Sequence, residues 1–66
     1  MTTYNPFHIF DIVELIDRTE IEPNFFINPD VIGVVKDRTT PDYYLVKFEG
    51  YGAYWVAGNK LKRYKH

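Results

Sequence analysis

The stretch YYLVKFEGYGAYWV, residues 43–56, holds six aromatic side chains in fourteen positions. Successive side chains of a strand point to opposite faces. Tyr44, Val46 and Phe48 therefore share one face, and Tyr43, Leu45, Lys47 and Glu49 the other. Gly50-Tyr51-Gly52 reads as a turn in which either glycine can supply a positive φ. Ala53 to Val56 then returns as a second strand. This hairpin assigns Tyr44, Val46, Phe48 and Val56 to a core. Tyr43, Tyr51 and Trp55 point outward, with Tyr54 at the rim.

The rest of the chain follows the same idiom. FDIVELID, residues 10–17, reads as a first strand with Val13 and Leu15 on one side. Ile9, Ile12, Val13 and Ile16 also have helical spacing, but the block is short and β-branched, and Pro23 follows soon after. Residues 18–30, RTEIEPNFFINPD, read as a long loop with an apolar tip at Phe25-Phe26-Ile27, because Pro23 and Pro29 exclude a regular central strand. VIGVVKD, residues 31–37, is the next strand, and Gly33 marks a bulge, bend or close crossing. RTTPD, residues 38–42, is a turn. AGNK, residues 57–60, is a tight or 3₁₀ turn. LKRY, residues 61–64, is a last short strand. Val13, Leu15, Val34, Val46, Phe48, Val56 and Leu61 form the expected core. Five short strands with one long loop after the first predict an antiparallel all-β fold, a small closed barrel.

Sixty-six residues make a single domain, 1–66, that buries only about 60% of its unfolded surface. Residues 1–8 read as a flexible or loosely packed N-terminal segment. There is no cysteine, which excludes disulfides and thiolate metal sites. No stretch approaches the ~20 apolar residues of a membrane span, and the N-terminus lacks the basic start of a signal peptide. A soluble, cytoplasmic protein with no membrane partner is expected. The net charge of −1 hides an asymmetry. Residues 1–35 hold Arg18 against six acids, a balance of −5, and residues 36–66 hold seven basic residues against three acids, a balance of +4. The two halves are expected to attract each other.

The run of Asp11-x-Val13-x-Leu15, a long first loop, Gly33-x-Val35, Tyr44-x-Val46-x-Phe48, Trp55-Val56, a tight turn and Leu61 resembles the SH3-like small barrels, over roughly residues 10–64. The resemblance implies a five-stranded barrel with a long loop after the first strand. Such barrels serve as nucleic-acid modules, peptide readers and docking subunits. YLVKFEGY, residues 44–51, with VELIDR, residues 13–18, is also similar to chromodomain segments. That resemblance implies a methyl-lysine cage with walls at Phe48 and Tyr51, although the family's C-terminal helix has no counterpart here. The type II dihydrofolate reductases are similarly short SH3-like chains. Their V-Q-I-Y stretch is not matched by AYWV, which lacks the Gln and the Ile-Tyr order, so that activity is not expected.

No motif for catalysis stands out. His8 and His66 lie near the two ends without metal-ligand spacing, and Asp11, Glu14, Asp17, Glu20 and Glu22 read as a solvated face rather than a raised-pKa carboxylate pair. The glycines at 50 and 52 belong to a hairpin, since no helix follows to receive a phosphate. No enzyme, cofactor or metal is expected. Tyr43, Tyr51, Tyr54 and Trp55, with Phe25 and Phe26, form the candidate protein-binding surface, since exposed Tyr and Trp are typical interface anchors. The alternative is nucleic-acid binding by the basic tail, with Lys60, Lys62, Arg63 and Lys65 on phosphates and Tyr64 on bases. The tail's ordinary reading is a solvated terminus that balances the acidic half. A self-complementary aromatic patch would make an oligomer. The sequence therefore reads as a non-catalytic accessory, inhibitor or adaptor protein, encoded by a phage or mobile element, or as a docking subunit of a larger complex. This last step rests on analogy with SH3-like subunits.

Overall fold

The computed structural model describes residues 7–39 and 42–64. They form an all-β unit of seven strands and one 3₁₀ turn. The strands are β1 (Ile12–Leu15), β2 (Thr19–Glu22), β3 (Phe25–Ile27), β4 (Ile32–Thr39), β5 (Tyr43–Phe48), β6 (Ala53–Ala57) and β7 (Leu61–Arg63), with the 3₁₀ turn at Gly58–Lys60. Five strands make one antiparallel sheet in the order β6-β5-β4-β1-β7, and β2 and β3 make a separate hairpin.

The expected closed barrel is corrected to an open sheet. β6 and β7 lie at opposite edges and do not pair with each other. The inner face is covered instead by the β2–β3 hairpin and by Phe7. Ile27 and Phe7 are buried in the same cluster as Val13, Leu15, Val35, Tyr44, Val46, Phe48, Val56 and Leu61. Phe7 meets Tyr44 edge-on at 5.4 Å. Of the segment read as loose, residues 1–6 lie outside the described residues, whereas Phe7 is packed.

The long first loop is also corrected. Residues 19–27 are a hairpin, with Thr19 opposite Ile27, Glu20 opposite Phe26 and Glu22 opposite Phe25. Pro23 falls in its turn rather than in a strand. Asn24 takes φ 63° there, a conformation Asn tolerates better than most residues. Its N–H donates to Glu20 Oε2 at 2.9 Å. Pro23 and the unbroken Phe25-Phe26-Ile27 apolar run mask the alternation of these two strands, and the packing of Ile27 fixes their inward side.

In β4 the expected inward Val34 is replaced by Val35. Gly33 lies opposite Phe48 and Val35 opposite Val46, both inward residues. Val34 lies opposite Lys47 and faces out. Gly33 hides this phase in the sequence because it has no side chain. A Cβ there would come within 2.5 Å of Val46 Cγ1 and 3.2 Å of Phe48 Cδ1. The register then slips between Val35 and Asp37, a bulge that bends and twists the strand. Thr40 and Pro41, which include the proline expected at the centre of the following turn, lie outside the described residues.

Gly33→Ala is expected to cost about 1–3 kcal/mol, the usual penalty for overpacking a filled core. Urea unfolding should show a lower midpoint at an unchanged m-value.

Candidate functional site

The predicted aromatic surface divides into three places. Tyr43 and Trp55 lie on the outer face of the sheet, about half exposed. Trp55 sits opposite Leu45, and Tyr43 opposite Ala57. Tyr54 follows the alternation to the inner side, where it is half-buried and packs against the core. It meets the Phe25 ring at 5.5 Å, and Tyr51 meets the same ring at 5.8 Å. Phe25 thus anchors the hairpin over the sheet. Phe26 points away, with the Arg18 guanidinium 4.3 Å above its ring. Tyr54 and Trp55 are chain neighbours on opposite faces, so they do not form one patch.

The outer face holds more apolar area than the hairpin reading suggested. Val34 pairs with both Lys47 and Ile12, and the Tyr64 N–H donates to the Ile12 carbonyl at 2.9 Å. The outer face therefore carries Trp55 and Leu45 at one end and Val34, Ile12 and Tyr64 at the other, with Lys47 between them. Ile32, Val34, Lys36, Lys47 and Glu49 line a shallow groove within it. Ile12, Ile16, Tyr43 and Trp55 are all more than two-fifths exposed. The sequence did contain a signal for this, since Ile12 and Ile16 alternate with Val13 and Leu15. A strand with apolar residues on both sides needs two covers or exposes one.

Phe10 was not singled out from the sequence. It is the most exposed large apolar side chain of the described residues, at 71%. Its φ is 77°, a region that costs a non-glycine residue roughly 1–2 kcal/mol. The turn is held by the Asp11 N–H donating to His8 O (3.0 Å) and by the Phe10 N–H donating to Val35 O (2.7 Å). The Lys36 ammonium lies 5.5 Å from its ring centroid.

The basic tail is engaged with the acidic first half. Lys62 Nζ lies 3.9 Å from Glu14 Oε2, and an Arg63 Nη2–H donates to Asp11 Oδ2 at 3.3 Å. The Arg63 guanidinium also sits 5.4 Å from the Phe7 ring. Lys60 lies in the 3₁₀ turn, where its carbonyl accepts the Ile16 N–H at 2.8 Å. Lys65 and His66 lie outside the described residues. Exposed pairs of this kind add little stability, and the ladder with β1 is what positions β7.

Phe48, one wall of the cage implied by the chromodomain resemblance, is fully buried. Among the described residues no group of three His, Cys, Asp or Glu side chains could hold a metal ion. No helix there is long and apolar enough to cross a membrane. No protein-family model matches the chain, and no curated protein or solved structure does so.

Phe25→Ala is expected to cost about 2 kcal/mol, the scale for a large half-buried side chain. Phe26→Ala, at a ring two-fifths exposed and outside the core cluster, should cost less, about 1 kcal/mol. Chemical denaturation of the two variants side by side checks the division.

Proposed function

We propose that this chain is a non-catalytic binding module that holds a protein partner on the outer face of its sheet. The observation that carries this is the outer face of the sheet, on which Trp55, Tyr43 and Ile12 are each more than two-fifths exposed and no described strand lies over them. Exposed large apolar side chains gathered on one face mark interaction sites. Aromatic anchors ringed by charge are the usual core and rim of an interface. Here Trp55, Tyr43 and Phe10 are the anchors, and Lys36, Lys47 and Glu49 are the charges interleaved with them on the same face.

The strained, exposed Phe10 supports the same face. A bulky side chain held at positive φ with its ring in solvent costs stability without filling the core. Contact with a partner would offset that cost. Accessory, inhibitor and docking roles are what the small-barrel resemblance implies, and they enter here by analogy alone. The nucleic-acid reading is weaker, because Lys62 and Arg63 face Glu14 and Asp11 rather than standing clear. The outer face also mixes acids with its lysines.

The test is capture from native lysate by the full chain and its variants. Trp55→Ala with Tyr43→Ala should lose the species held by the wild type, a weakening of about 30-fold or more for hot-spot residues. Tyr51→Ala should retain it. Retention by the double variant would move the site to the β2–β3 side. A captured nucleic acid released steeply by salt, with the slope reduced in Lys62→Ala, would favour the tail instead.

Phe10→Gly separates stability from binding. Relief of strain is partly offset by the roughly 0.5–1 kcal/mol entropic cost of glycine. Thermal unfolding should therefore be unchanged or stabilised by about 1 kcal/mol, while capture weakens.

A further inference from the structure

The sheet ends in two edges of different character. β7 is three residues long and carries Lys62 and Arg63, the short, charged pattern that keeps an edge strand from pairing with another chain. β6, AYWVA, is five residues long with no charge and no proline. Its pairing with β5 runs without a bulge. No other described strand pairs with its far side.

The backbone direction along β6 follows from the ends of its ladder. The Phe48 N–H donates to Gly52 O at 3.1 Å, and the Gly58 N–H donates to Asp42 O at 2.8 Å. Between them lie the pairs Val46–Tyr54 and Tyr44–Val56. Hydrogen-bonded pairs alternate with non-bonded ones in an antiparallel ladder. The N–H and C=O groups of Tyr54 and Val56 thus serve β5. Those of Ala53, Trp55 and Ala57 turn to the open edge.

We propose that this edge is a homodimerisation site, at which β6 pairs antiparallel with β6 of a second copy about a twofold axis at Trp55. The sequence of the strand is self-complementary in that register. Ala53 of each copy lies opposite Ala57 of the other, Tyr54 opposite Val56, and Trp55 opposite itself. All the edge-directed groups are then used, two bonds at each of the pairs they form, about six in total. A slip of one residue would turn the outer face of one copy to the inner side of the other. The twofold register keeps the faces continuous and sets the two Trp55 rings side by side as a cross-strand aromatic pair. The other edge lacks this option, because β7 paired with itself would set Lys62 directly against Lys62. An unrelated extended peptide would find the same backbone groups but not the matched side chains. The proposal goes beyond the function proposed above, since the rest of the outer face stays open in the dimer.

Ala57→Pro is the direct test. Ala57 has φ −63°, the value proline imposes, and its N–H faces the open edge, so the ladder with β5 loses nothing. Sedimentation equilibrium of the full chain, from low micromolar to millimolar concentration, should show a monomer–dimer equilibrium for the wild type. Ala57→Pro should stay monomeric with an unchanged circular dichroism spectrum. A wild type that is monomeric throughout, or an Ala57→Pro variant that dimerises equally, overturns the proposal. Amide exchange of the wild type gives the answer independently of any variant. The amides of Ala53, Trp55 and Ala57 should slow as concentration rises. Association that leaves their exchange unchanged would place the interface elsewhere and overturn the proposal.

Discussion

A single twisted sheet has two faces, and a chain of 66 residues has little left over to cover them. The structure covers one. Phe48, Val46 and Tyr44 of β5 form the floor, and Ile27 and Phe7 close over it. This packing decides everything else. It fixes which side of each strand is inward, holds the β2–β3 hairpin against the sheet, and leaves the outer face with Ile12, Ile16, Tyr43 and Trp55 exposed. The hairpin makes no ladder with the main sheet. It is held by side chains such as Phe25 against Tyr51 and Tyr54.

Close approach at Gly33 is the second condition. β4 lies at the centre of the sheet, and its inward positions must accommodate Val46 and Phe48 from β5. A residue without a side chain lets the strands and core rings come together there. The bulge that follows, between Val35 and Asp37, re-aims the end of the strand. Lys36 is placed above the Phe10 ring, and Arg38 donates to the Phe7 carbonyl at 3.1 Å. One slip in register thus ties both the N-terminal cover and the exposed Phe10 to the sheet.

The charge asymmetry of the chain resolves into neighbouring strands. The acids of β1 and the residue before it meet the cations of β7. Such exposed contacts are individually weak. They nevertheless occupy the tail that looked, as a string of letters, free to meet phosphates. They also leave the two edges of the sheet unlike each other, one short and charged and the other long and neutral.

Elements with a clear period were legible from the amino acids alone. β1, β5, β6 and β7, the turn at residues 50–52 and the 3₁₀ turn at residues 58–60 were all legible from alternation and glycine. So were Tyr43, Tyr51 and Trp55 as exposed rings. Stretches too bare or too broken by proline to show a period were not legible. Gly33 concealed the phase of β4, Pro23 disguised a hairpin turn as a loop, and the positive φ of Phe10 has no mark in its side chain. Which aromatic residues share a surface was also a tertiary matter. Tyr54 and Trp55 are adjacent in sequence, but a strand sends them to opposite faces, and only the cover supplied by Phe25 decides which face is the inside.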